Sequence, residues 1–182
     1  MTLGAGRVRA GTLAAVVAAS VFAGGCARPD EGPFTIRDDG IGPLLISRDY
    51  DAAVDAARAA APESVLAGPG CGGLDEVRYQ GRMGEFPVSL MAMAEDTVLV
   101  EVELGLDSPL TAADEMECIA LRNRFAAPFF ARFGQPSSHW EIDKPVSREH
   151  LLGTGPVVVV ARWFPTGRSC YISAHYGYPG AE

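Results

Sequence analysis

The chain has 182 residues, of which 48% are hydrophobic, with 15 basic and 23 acidic side chains. That supplies a core for one domain of ordinary size or two small subdomains. The acidic balance excludes a nucleic-acid binder, because phosphate contacts need clustered Lys and Arg, and the single lysine, Lys144, against 14 arginines reads as the bias of a GC-rich genome rather than of a function.

Residues 1–25 carry Arg7 and Arg9, no acidic residue, and an apolar run over 11–23 interrupted only by Thr12 and Ser20. A short positive segment followed by a short apolar one is the layout of a secretory signal peptide. The run falls short of the roughly 20 residues that span a bilayer core. It closes on Ala23, Gly24, Gly25 and Cys26. This ending resembles the lipobox of bacterial lipoproteins, with Ala23 where Leu is usual. The resemblance implies cleavage before Cys26, a diacylglyceryl group on its thiol and a third acyl chain on its amine. The other reading is an ordinary secretory signal with Cys26 an incidental thiol. Two or more acyl chains give stable anchoring where one does not. Ala27, rather than Asp, after the cysteine implies the outer membrane over the inner one by the sorting rule of some Gram-negative bacteria.

The expected organisation is a signal peptide over 1–25, a lipid-anchored spacer over 26–33 rich in Pro and polar residues, and a single α+β domain over 34–182, with subdomains 34–107 and 108–182 left open. Removing the first 25 residues takes away two arginines and no acid, so the mature chain carries 13 basic and 23 acidic residues, a net of −10. Its expected partners are the lipid bilayer, through Cys26, and another envelope protein.

Within the domain, residues 34–46 predict a strand, a turn at Asp38-Asp39-Gly40 and a second extended piece limited by Pro43. The Ala-rich segment 47–63 predicts a helix with Val54 and Ala57 inward, capped by Ser47 or Asp49 and stopped by Pro62. Residues 66–73, LAGPGCGG, read as a glycine-rich loop; no GK[ST] follows, so they are no P-loop. Three strands follow, LDEVRYQ, FPVSLMAMA and TVLVEVELG, the last two joined by a tight turn at Glu95-Asp96. In the third, Val98, Val100, Val102 and Leu104 share one face, with Thr97, Leu99, Glu101 and Glu103 on the other.

The segment 108–134 predicts a long helix capped by Ser108 or Thr111, with Asp114 and Glu115 in its first turn. Its stripe is Cys118, Leu121, Phe125 and Phe129; Pro128 should kink or restart it, and Gly134 ends it. Three strand runs close the chain, SSHWEID, VVVVARWF and SCYISAHYGY, the last two joined at PTGR. The expected fold is thus α+β: antiparallel sheet packed by two main helices, with a loose duplication of a helix-plus-three-strand unit. In the final strand Cys170, Ile172 and Ala174 share a face, with small residues that leave room for the helix bearing Cys118. Outside the cytoplasm thiols tend to pair, and this placement predicts a Cys118–Cys170 disulfide, with Cys71 the competitor.

The stretches GIGPLLISRDYDAAVDAARAAAP, VSLMAMAEDTVLVEVEL and ECIALRNRFAAPFFARFGQP resemble the helix, hairpin and later helix of small uncharacterised bacterial envelope lipoproteins. A more distant likeness is to the helix-plus-antiparallel-sheet folds of barrel-assembly accessory lipoproteins and β-lactamase-inhibitor-like proteins. Ile46-Ser47-Arg48 replaces the usual Gly-Met-Thr before the first helix. The resemblance implies no catalytic signature.

Motifs for enzymatic chemistry are sparse. The histidines are His139, His150 and His175, with no HExxH and no pair at i, i+4. His139, Glu141 and Asp143, followed by Glu149-His150, form the one polar cluster with metal-ligand types, and its strand and loop context reads as solvated surface, so no metal and no cofactor are expected. There is no GxSxG elbow. Ser173 and His175 share a strand face by simple alternation, and Cys71 has no basic neighbour to activate it. Trp163, Phe164, Tyr171, Tyr176 and Tyr178 fit either a small core or an interface patch. The expected function is a non-enzymatic, lipid-anchored, periplasm-facing envelope protein that binds another protein. The alternative is an enzyme or small-ligand protein with a cleft between the long helix and the sheet.

Overall fold

A computed structural model describes residues 32–70 and 73–178. The leader, Cys26 and Cys71 lie outside the described residues. Over the described residues the fold is α+β: two helices and a sheet whose strand pairings are all antiparallel.

A small hairpin of β1 (Gly40–Ile41) and β2 (Leu44–Leu45) turns at Gly42-Pro43 and leads into α1 (Tyr50–Ala60). Asp49 caps α1, its carboxylate accepting from the Ala52 N–H at 3.0 Å. Then come β3 (Leu66–Pro69), β4 (Asp75–Met83), β5 (Phe86–Glu95) and β6 (Val98–Leu106). The short β7 (Leu110–Thr111) precedes α2 (Glu115–Phe133), which is followed by β8 (Ser138–Lys144), β9 (Ser147–Thr154), β10 (Val157–Phe164) and β11 (Ser169–Tyr176).

These strands join in the order β3-β4-β5-β6-β11-β10-β9-β8, with β7 alongside the start of β11. Each half of the domain is therefore a helix followed by four strands, not three, and the halves meet where β6 pairs β11. The two unexpected strands have plain causes. The edge strand β3 accommodates Gly68 and Pro69, since an edge needs fewer ladder donors. For β9, two-residue turns at Pro145-Val146 and Gly155-Pro156 leave a segment that lacks simple alternation because both its faces are largely buried.

Both helices cover the same sheet face. Val77 and Tyr79 of β4, Leu90 of β5, Leu104 of β6, Ala174 and Ile172 of β11 and Val159 of β10 form one buried core with Ala53, Val54 and Ala57 of α1 and Phe125 and Phe129 of α2. The predicted stripe of α2 is the buried one, and Phe86 meets Phe125 edge-on with ring centroids 5.5 Å apart. Cys118 and Cys170 are fully buried within this layer, their sulfurs 2.03 Å apart.

Four local expectations are corrected. The α2 cap is Asp114, which accepts from the Glu117 N–H at 2.9 Å, because Leu110–Thr111 is spent on β7. Pro128 lies inside an uninterrupted helix, held by packing of its neighbours Phe125, Ala126 and Phe129 on the sheet. In β6 the face assignment inverts near the start: Met93 pairs Glu101 but Ala94 pairs Leu99, so Val100 is an extra, bulged residue. Leu99 then turns inward at 1% exposure while Val98 and Val100 are exposed. The β5–β6 turn is Asp96-Thr97, both with positive φ, at 48° and 69°, the geometry of a type I′ turn.

Among the described residues, the opposite face of the sheet carries no helix. Its two edges are β3 and β8; the outer edge of β8 is exposed along its length apart from Trp140.

Candidate functional site

The sheet gathers polar side chains into two clusters, one on each face. On the helix-free face, the β6–β11 register sets His175 opposite Glu103 and Ser173 opposite Gly105. Ser173 Oγ lies 2.7 Å from His175 Nε2, and His175 Nδ1 lies 3.2 Å from Glu101 Oε1. Alternation on β11 brings the first pair together, and the strand pairing adds the carboxylate, which sequence alone did not assign to it. Serine, imidazole and carboxylate in line are the parts of a nucleophile relay. Acyl-transfer chemistry also needs backbone donors aimed at an oxyanion. Here Ser173 is buried in a central strand, between β6 and β10, whose N–H groups serve the ladders.

Beside this line lies a groove of about 410 Å³, lined by residues including Arg78, Met91, Glu103, Asp107 and Tyr171. Gly105 forms its floor: a Cβ there would collide with the Tyr171 hydroxyl. Burial, assisted by the Glu103 charge, pushes the Tyr171 phenol up to about 12, so it stays a proton donor. Further along the same face, Arg162 and Lys144 hold the buried Glu149 carboxylate at 2.5 and 2.7 Å. Trp140 and Tyr178 pack over a small apolar cluster of Leu151, Val158 and Val160. The C-terminal aromatics thus divide: Trp163 and Tyr176 belong to the core, whereas Tyr171 and Tyr178 belong to the helix-free side.

On the helix side, at the β8 edge, the β8–β9 ribbon puts Glu141 directly opposite His150, with His139 two residues along the same strand. Glu141 Oε1 lies 3.2 Å from His150 Nδ1 and 3.9 Å from His139 Nε2. His150 is almost wholly buried, and its Nε2 lies 2.7 Å from Glu115 Oε1 on α2. Arg148 holds the other Glu115 oxygen at 2.7 Å. Burial works to raise the Glu115 pKa, but the hydrogen bonds from His150 and Arg148 outweigh it and keep the carboxyl below its usual range. The sequence reading gave His139, Glu141 and His150 no defined geometry; the hairpin supplies it. Of the other two residues of that cluster, Asp143 turns to Arg148 at 3.5 Å and Glu149 points to the opposite face, where Lys144 and Arg162 hold it. Glu115 reads in the sequence only as a favourable charge in the first turn of a helix, and nothing local ties it to a histidine 35 residues away.

The cleft expected between the long helix and the sheet is filled by Cys118, Phe125, Ala126 and Phe129, all fully buried. Among the described residues, no helix is long and apolar enough to cross a membrane. No protein-family model matches the chain, and no curated protein or solved structure matches it either.

Proposed function

We propose that the chain is a lipid-anchored protein of the bacterial cell envelope, held by Cys26 and facing the periplasm, and that its domain is a non-enzymatic module binding a basic segment of another envelope protein. The observation that carries the binding reading is the one-sidedness of the fold. Both helices pack on one sheet face, while the other presents a groove in which carboxylates outnumber cations. Glu103 and Asp107 face Arg78 there, and Arg78 already leans on Glu76 at 3.5 Å. Met91 and Tyr171 supply the adaptable and aromatic surface that interfaces favour. The engagement of the ladder donors around Ser173 supports a binding module over a hydrolase. The lipid anchor rests on the sequence ending at Cys26.

Two measurements test the reading. Intact mass of the protein purified from its host's membranes should show a chain beginning at Cys26 with added acyl mass; an unmodified chain free in the periplasm overturns the anchor. Cross-linked capture from those membranes should yield a basic partner that the E103K/D107K double variant loses and D55K, reversed on the exposed side of α1, retains. Equal capture by both variants overturns the assignment of the helix-free face.

A further inference from the structure

We propose that His139, Glu141 and His150 form a binding site for one divalent cation of the zinc class. The site lies on the helix side of the sheet, away from the proposed docking groove, and does not depend on that reading.

The argument begins with the ribbon. Directly opposed residues and i, i+2 neighbours of an antiparallel pair project to the same face. Glu141 and His150 are such a pair, and His139 is two residues from Glu141. One ligand atom from each residue lies within 4.8 Å of the others. Ligand bonds of about 2.0–2.2 Å place the donors of a tetrahedral zinc roughly 3.3 Å apart. The 3.2 Å between His150 Nδ1 and Glu141 Oε1 already meets that spacing. The 3.9 Å to His139 closes by rotation of side chains that are 52% and 62% exposed.

The second observation is the state of His150. Its side chain is 4% exposed, and its Nε2 hydrogen-bonds a carboxylate, which accepts and cannot donate when ionised. In the neutral tautomer that this bond selects, the proton sits on Nε2 and Nδ1 presents a lone pair. Among the described residues, that buried Nδ1 has no hydrogen-bond partner. Glu141 is near enough but misaligned, and it is itself an acceptor. A lone pair and a carboxylate facing each other without a proton between them repel; a cation between them removes the conflict. Glu115, braced by Arg148, occupies the place of the carboxylate that orients a metal-bound imidazole.

The neighbouring charges set the balance. Arg122 is buried nearby and its charge acts on Glu141, opposing a metal; Asp143 and Glu115 offset Arg148. Two imidazoles and a carboxylate match zinc-class ions better than calcium or magnesium, which prefer all-oxygen shells. The other grouping of metal-ligand types among the described residues, Glu101, Glu103 and His175, differs in the decisive respect: both His175 nitrogens are already engaged.

The test uses the full chain in detergent, stripped of metal and titrated with Zn²⁺ against a chromophoric chelator. One zinc per chain is expected. H139Q and E141Q, at exposed positions, should each weaken binding at least tenfold, and E115Q by about 10–100-fold. H175Q should bind as the parent does. Far-UV circular dichroism and an intact Cys118–Cys170 bond certify that each variant is folded. Co²⁺ substitution should give tetrahedral d–d absorption that H139Q loses. Absence of saturable binding overturns the proposal, as does binding unchanged in folded H139Q and E141Q, or binding lost in H175Q instead.

Discussion

Glu149 and Arg162 face each other across β9 and β10, and the guanidinium Nε lies 2.5 Å from a carboxylate that is 2% exposed. Lys144 closes on the same oxygen from β8 at 2.7 Å, so three strands are tied at one buried charge. Burial works to raise the pKa of this carboxyl; the hydrogen bonds and charges of Lys144 and Arg162 win and lower it. As pH falls, the unfolded chain therefore takes up the proton first. The contribution of Glu149 is complete above about pH 4.5, its ordinary value, and drains away as pH falls through the folded-state pKa. E149Q should lose about 1–3 kcal/mol at neutral pH. It should also have a shallower acid limb, read from urea midpoints between neutral pH and pH 3. Parallel acid limbs would remove Glu149 from the account.

The disulfide closes a loop with a sequence separation of 52, and both sulfurs lie in the core. Replacing both cysteines by alanine should lower stability by about 2–4 kcal/mol. Because neither sulfur meets solvent, reductant should act on the native protein no faster than it unfolds. Thiol labelling with and without mild denaturant measures this; rapid reduction under native conditions would contradict the packing.

Thr97 holds φ at 69°, a conformation that β-branched side chains resist. Its carbonyl accepts from the Tyr50 N–H at 2.8 Å, and that backbone bond survives substitution. T97G should gain about 0.5–1 kcal/mol, raising Tm by about 1–4 °C for a chain of this size. A loss of stability would mean that the side chain contributes more than its backbone costs.

The cap of α2 gives a direct comparison. D114A should cost about 1 kcal/mol, whereas S108A, at an exposed residue outside the helix, should change stability by less than about 0.5 kcal/mol. Denaturant midpoints of the two variants separate Asp114 from the cap that composition favours.

These cases show what is legible without coordinates. Periodicity located both helices and the buried stripe Cys118, Leu121, Phe125 and Phe129, because one apolar face repeats every turn. The same reasoning placed Cys118 over Cys170. It missed β9, where burial on both faces erases alternation, and it inverted the start of β6, where a single bulged residue, Val100, breaks the alternation and turns Leu99 rather than Val98 inward. The bulge has a partner outside the sheet: Ser47 and Arg48 exchange backbone hydrogen bonds with Leu99, a contact no local pattern encodes. The site was half legible. Residue types within 139–150 marked a cluster, but its geometry comes from a hairpin register and from Glu115 on α2, both long-range facts.

The exposed outer edge of β8 bears on the company this protein keeps with itself. A second copy adding there in antiparallel register centred on Glu141 would set that carboxylate against its own image, and like charges directly opposed destabilise a strand pair. At the far end, β3 offers four residues, and Pro69 among them has no N–H to give. A sheet of this width whose edges stayed available for pairing would be a seed for fibres; a carboxylate at the middle of one terminal strand and a proline in the other each oppose that growth.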